Sequence, residues 1–573
     1  VRIEALDIAG AAAGDNADAT FKVTAADATG DSDTLKVGRQ LQHTIGGAAA
    51  ANGTNTVESS GIETLDIEIA DTGAGAVNTS TWVLTKFDGT TVKVAEASDD
   101  TLDPNVALGT LHKNVTSIDT SGVKGTQTWD ASNSLSAVDA KGSGSAAVNF
   151  TTNEWNDTFT ISKTAGVQHT INGGAGTDTA TVGITTNFVD ARRIAVEKLT
   201  LDVAPGTSQN VGAAAGGGLA AQAFNAATTE LTITGGNSLS VFDNETTADA
   251  EFIEAVTKVD ASGFGGKVEL DFDANALNDT VTVSGGSLTS DTARGTFTTA
   301  DATAKPKTTG IETLILTSNV PGGSQTTTVG LGNASGVTRV DAGLGAADIF
   351  VINKIESEKI RLKSAGAAST LQLALADDSG AADTLTIELD GALAGDIAND
   401  TNVVLTDVET VTIKVKDPEQ INLSGIAMDG AVSNTNTLKI TGNKALTVDG
   451  TSVDVDVIDA SGMSEGGSFS QNATTGRTRT KTVTYTGSGG NDQFVMSNEE
   501  DTIDGGSQAA GANGDTLVIS NAVELLIGGI IVDLSKSDDQ VTTLNGLTNT
   551  SVQKGFESVD ISAVTAATNG SII

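Results

Sequence analysis

Residues 172–182 read NGGAGTDTATV: paired glycines at Gly173 and Gly174, a third at Gly176, an aspartate at Asp178, then the alternation Thr-Ala-Thr-Val. Glycine allows a tight reversal at no steric cost, and Asp favours turns through its short polar side chain. The alternation that follows puts Ala180 and Val182 on one face, which is the pattern of a half-buried strand. This stretch is therefore a turn feeding a β-strand.

The same phrase recurs along the chain. An acid followed by a polar and an apolar residue opens a short strand in SDTLKV at Asp33, NDTFTI at Asp157, NDTVTV at Asp279, ADTLTI at Asp383 and NDQFVM at Asp492. The intervals are 124, 122, 104 and 109 residues. A period near 110 is domain-sized rather than the 20–50 residues of a tight solenoid. Other phrases keep their order within the period. Gly-rich turns follow (LQHTIGG from Leu41, VQHTINGG from Val167, DTIDGG from Asp501), and then a strand with a recurring glutamate at Glu63, Glu197, Glu312, Glu409 and Glu557. That glutamate reads as the solvent-side residue of a half-buried strand, paired with Lys across the sheet. Pro205, Pro321 and Pro418 mark strand exits, because proline cannot donate to a ladder.

These patterns predict an all-β chain, an elongated tandem array of β-sandwich or β-helix-like modules with Gly/Asp turns. The expected boundaries are an incomplete module over 1–60, modules over 61–195, 196–310, 311–407 and 408–522, and a C-terminal β segment over 523–573. Residues 212–227 (Ala/Gly-rich) fit a short helix or a loop.

Composition narrows the function. Asp and Glu number 73 against 32 Lys and Arg, a formal net charge of −41. Such a chain repels itself unless its acids are solvated or neutralised by cations. Nucleic acid and anionic membranes, which need basic patches, are poor partners. Cysteine is absent, which excludes disulfides, thiolate nucleophiles and zinc–thiolate sites. The longest apolar run, Leu525–Val532, falls far short of the roughly 20 residues of a membrane helix. There is no H-E-x-x-H zinc motif, and no nucleophile elbow of the G-x-S-x-G kind is expected. His43 and His169 occupy equivalent QHTI phrases, which suits a structural role at a strand edge. Aromatic residues make up 3%, so no stacked sugar-binding platform is evident.

The acidic loops carry the chemistry. Gly173, Gly174, Gly176 and Asp178 spell G-G-x-G-x-D, whose glycines turn carbonyl oxygens inward while Asp adds a charged oxygen; stacked turns of this kind suit calcium. The tract Gly487–Ser520 repeats the theme with Gly487, Gly490, Asn491 and Asp492, then Asp501 and Asp504, then Asp515. Asp492 and Asp501 are nine residues apart, and Phe494, Ile503 and Leu517 take the apolar position after the aspartates. Asp157 belongs with Asp178. For Asp33, Asp279 and Asp383 taken singly, a plain Asp–Gly turn and a calcium ligand are equally good readings.

On these residues the chain resembles the RTX, or hemolysin-type calcium-binding, family, and in particular its surface-layer members from Gram-negative bacteria; the giant adhesins of that family are a looser match. Residues 528–562 look like the strand pair that trails such repeats. The resemblance implies Ca2+ as cofactor, export by a type I system, folding outside the cell on meeting calcium, and self-assembly into a two-dimensional lattice on the cell surface. Ser488 stands where the pattern has glycine, Ala180 is small for its apolar position, and no long run of nonapeptides exists. Those departures favour scattered calcium sites at sandwich or β-helix turns over one long roll. The expected function is a non-enzymatic surface-layer protein, with itself and cell-surface polysaccharide or lipopolysaccharide as partners and no nucleic acid or membrane insertion. A secreted adhesin binding glycans or surfaces is the alternative, and a calcium-dependent polysaccharide-modifying enzyme a third reading.

Overall fold

In the computed structural model the described residues are 2–3, 19–24, 33–41, 54–71, 79–97, 104–184, 191–205, 209–211, 224–241, 255–272, 277–298, 302–429, 435–450, 455–471, 483–519 and 529–562, less short gaps within these ranges. Asp279, His43, Pro321 and Pro418 lie outside the described residues. Among the described residues the chain is all-β apart from a single 3-10 turn at Leu331–Asn333. It divides into two compact units, residues 1–276 with 280–292, and residues 277–279 with 293–573.

Within the first unit consecutive strands alternate between one long sheet and another, the partner sheet changing after Ile194–Ala195 to one that begins at Gln209–Val211, and every described pairing is parallel. Thr158–Thr164, Thr179–Ile184, Lys198–Val203 and Glu230–Gly235 are neighbours in one sheet. The intervening Val148–Thr151, Thr170–Asn172 and Ile194–Ala195 are neighbours in the other. The second unit repeats the scheme: Thr384–Leu389, Thr410–Val415, Thr437–Gly442 and Val457–Met463 form one sheet, and Thr370–Leu375, Thr401–Thr406, Ile421–Asp429 and Leu446–Gly450 the other. Each unit is thus a parallel coil, the β-helix alternative anticipated for this sequence. The recurrence near 110 residues is not its turn length. Equivalent residues on successive turns lie 18 to 36 positions apart, and 42 to 50 apart where the antiparallel strands Ile531–Val532, Val541–Leu544 and Leu547–Thr548 are inserted.

The core follows from the alternation. Strand Lys198–Val203 buries every second residue, as does Thr410–Val415. Stacking in register places like positions on top of one another, so Ile118, Ala140, Phe159, Ala180, Leu199 and Leu231 form one buried column. Interior volume is conserved along such a column. Ala180 is small because it pairs with Phe159, whose ring lies 6.5 Å from Phe150, itself stacked on Trp129 at 4.0 Å. The second unit has the same device, with Tyr485 edge-on to Phe494 at 5.3 Å.

Candidate functional site

The acids that open the strands form a ladder. In the first unit the main-chain N–H of Asp33 donates to Glu63 Oε2 (2.8 Å), that of Val138 to Asp157 Oδ1 (2.6 Å), that of Asp157 to Asp178 Oδ1 (2.8 Å) and that of Asp178 to Glu197 Oε2 (2.7 Å). The second unit does the same from Asp383 to Glu409 (3.0 Å), Asn436 to Asp456 (2.8 Å), Val483 to Asp501 (3.1 Å), Asp492 to Asp515 (2.7 Å) and Asp515 to Glu557 (2.7 Å). Every one of these acceptors immediately precedes a strand. Each carboxylate therefore staples its own turn to the turn before it. A hydrogen bond to a charged acceptor contributes about 1.5–3 kcal/mol, roughly twice a neutral one.

The recurring glutamate is thus corrected. Glu63, Glu197, Glu409 and Glu557 are rungs of this ladder, equivalent to the aspartates. Lysines pair elsewhere, as Lys36 with Asp66 at 3.1 Å and Lys198 with Glu230 at 3.3 Å. The sequence signal was present, since these glutamates, like the aspartates, sit just before a strand.

Asn156 and Asn491 add a second contact of the same kind. Asn156 Oδ1 accepts the N–H of Thr177 (2.8 Å), and Asn491 Oδ1 that of Gly514 (3.3 Å), in each case the residue before the next aspartate. The Asn-Asp dipeptide accordingly holds two consecutive positions of the following turn. Asp492 and Asp515 are vertical neighbours in one sheet, whereas Asp501 opens a strand of the other. The nine-residue spacing is half a turn. Asp504 stands apart from the ladder: it faces outward, accepts the Gly506 N–H (3.1 Å) and pairs with Lys554 at 3.1 Å.

Glycines make room for these acids. A side chain at Gly173 would collide with the Asp178 carboxylate, one at Gly345 with that of Asp348, and one at Gly380 with that of Asp383. Gly176 has φ +123°, a conformation glycine alone adopts freely. In Gly487–Asp492 a serine takes over part of this role. Ser488 donates to Asp492 Oδ2 through both its N–H (2.7 Å) and its hydroxyl (2.8 Å), and the hydroxyl accepts the Gly490 N–H (3.0 Å).

Calcium can be tested against these groups. Asp178 and Asp348 are fully buried, and Asp178 Oδ2 and Asp348 Oδ1 have no hydrogen-bond partner; Asp383 is half-buried, with its buried Oδ2 likewise unpartnered. Burial, joined by the negative charges of Asp157 and Glu197, pushes the Asp178 carboxyl up to about 6, against the Asp157 N–H, which favours ionisation. A desolvated carboxylate between two others is a place where a cation relieves repulsion. The residues therefore fit a hard cation held by Asp178, and equally by Asp348 or Asp383, in an oxygen-only environment. Among the described residues no three His, Asp or Glu side chains converge as a metal cluster, so backbone carbonyls and water must supply the remaining ligands. Asp348, in GLGAAD, was not among the sequence candidates; it stands three positions after Gly345, whereas Asp178 stands five after Gly173.

Two other features bear on chemistry. His169 is fully buried, with Nδ1 accepting the Val148 N–H (3.2 Å), and desolvation lowers it to about 4. Against expectation, one G-x-S-x-G string does occur, Gly462–Gly466. A nucleophile elbow is a strand–turn–helix. Here no helix follows, and the Ser464 hydroxyl leans on the Gly442 carbonyl at 3.5 Å. Among the described residues no helix is long and apolar enough to cross a membrane. No protein-family model matches this chain, and no curated protein is similar to it.

Proposed function

We propose that this chain is a non-enzymatic structural protein, secreted to a bacterial cell surface, where calcium rigidifies its coils and copies assemble into a two-dimensional layer. The observation that carries the reading is the carboxylate ladder. The acids that would be candidates for catalysis are spent on joining turn to turn, and Asp178, Asp348 and Asp383, each with one unpartnered oxygen, lie against glycines where a side chain would collide with them. One site at a hundredfold over its dissociation constant adds about 2.7 kcal/mol, so a few sites match the stability of a whole domain. Binding of cations also lessens the repulsion within a chain of charge −41.

Electron microscopy of the purified protein with millimolar calcium, and with chelator, tests the assembly. Ordered sheets that form with calcium and disperse without it are expected. Monodisperse particles under both conditions overturn the layer.

A further inference from the structure

We infer that the outer face of five strands between Arg339 and Gly442 is a basic docking surface for the acidic surface of a second copy of this chain. It rests on the assembly reading above and names the face through which copies meet. Arg339–Leu344, Lys359–Ala365, Thr384–Leu389, Thr410–Val415 and Thr437–Gly442 are successive neighbours in one sheet of the second unit. Val340, Ile360, Ile387, Ile413 and Ile440 cross it in register and are fully buried, so they mark its inner face. One residue along each strand, Asp341, Arg361, Glu388 and Lys414 cross the outer face in the same way.

Ion pairs join the outer side chains into one surface. Arg361 Nε stands 3.8 Å from Asp341, 3.4 Å from Glu388 and 3.3 Å from Asp390. Arg339 meets Asp341 at 2.9 Å, Lys363 meets Asp390 at 3.3 Å, and Lys416 meets Glu388 at 2.7 Å. The acids lie beneath and the bases above: the side chains of Glu388 and Asp341 are 6% and 10% exposed, those of Arg339 and Lys416 36% and 45%. Lys359, in register with Arg339, and Lys439, in register with Thr412, are exposed on this face and have no ion pair among the described residues. The strand-opening Glu358 and Glu409 beside it are buried. A network serving stability alone would balance its charges, as Lys36 and Asp66 do in the first unit. Here the bases outnumber the acids and hold the solvent side.

Charge and spacing select the occupant. A chain of net charge −41 carries acids in excess, so a basic face on one copy finds its complement on another. The bases recur at the rise of the coil, about 4.8 Å from strand to strand. A second copy has the same rise, and its outward acids, such as Asp66 and Asp119 two strands apart, keep step with it. Duplex nucleic acid, with one charge per ~1.7 Å, does not. Five strands span about 20 Å, so the face is the charged centre of a contact. Pairing a basic face with a different, acidic one is heterologous and leaves each copy a free face, the condition for an open array.

Sedimentation velocity of the calcium-loaded protein, in low salt and in about 0.5 M sodium chloride, tests the face. Wild type should associate in low salt and dissociate in high salt. K359E/K439E should associate about tenfold more weakly or worse, with unchanged circular dichroism, because neither lysine holds an acid of the fold. K93E/K258E, which changes net charge equally at two exposed lysines of the first unit, should behave as wild type. Monomers at both salts, or equal loss in both variants, would overturn the face. Retention of dextran sulfate or duplex DNA through Lys359 and Lys439, without self-association, would give the face to a polyanion and overturn it too. Electron microscopy separates this result from the layer. Ordered sheets that persist in K359E/K439E refute the face and keep the layer, whereas salt-sensitive dimers without sheets keep the face and refute the layer.

Discussion

Asp178 and His169 have opposite effects on stability as pH changes. The Asp178 carboxyl is raised in the folded chain from 3.8 to about 6, so its contribution is fully present below 3.8 and is lost as pH rises through 6. The loss is about 3 kcal/mol, at 1.36 kcal/mol per unit. His169 is depressed from 6.5 to about 4, so its contribution is present above 6.5 and is lost as pH falls through 4, again by about 3 kcal/mol. Between pH 4 and 6 the two slopes oppose each other. In chelator, H169N is expected to melt at progressively lower temperature as pH rises from 4 to 6, while D178N should melt at progressively higher temperature over the same range. Parallel thermal profiles for the two variants would disprove the assignment. Calcium gives a further contrast: D178N should be as stable as wild type or more so in chelator at pH 8, yet gain less from added calcium.

Single strands show what could be read in advance and what could not. Alternation revealed strands such as Lys198–Val203 and Thr410–Val415, because a half-buried strand must show period two in its sequence. The repeated acids were visible as well, but their shared role was not. Asp157 and Glu197 look like members of different motifs until the parallel register sets Asp178 between them. Register is a long-range property, and a strand fragment does not specify it without its neighbours. Turn length escaped for the same reason: the clearest copies of the phrase are several turns apart, and the turns between them carry degraded versions. Two substitutions test the element-level account. A180L would overfill the space beside Phe159, and it should cost about 1–3 kcal/mol in denaturant titration. S488G removes the hydroxyl donated to Asp492 and should cost about 1 kcal/mol in chelator.

At the scale of the whole chain, charge and repetition govern behaviour. Each turn packs on its neighbours, so stability is close to a sum of turn and interface contributions. A charge of −41 opposes that sum, and salt screens charges over about 10 Å at 0.1 M. In chelator the melting temperature should therefore climb steadily as sodium chloride is raised, and a smaller rise should be seen once calcium is bound. Circular dichroism in chelator should show a looser or unfolded chain that regains its β signal when calcium is returned. A spectrum and melting curve indifferent to chelation would leave the acids as staples alone.

The staples also have a direction. In each carboxylate pair named above the earlier turn donates and the later turn accepts, whereas the Asn156 and Asn491 contacts run the other way. A turn that has folded therefore holds an amide at its rim that only the next stretch of polypeptide can satisfy. Growth is templated one way, as in a zipper whose every tooth waits for its successor. A chain cut between turns exposes an amide hungry for a carboxylate, and the acid that best fits it is the one that begins another such turn.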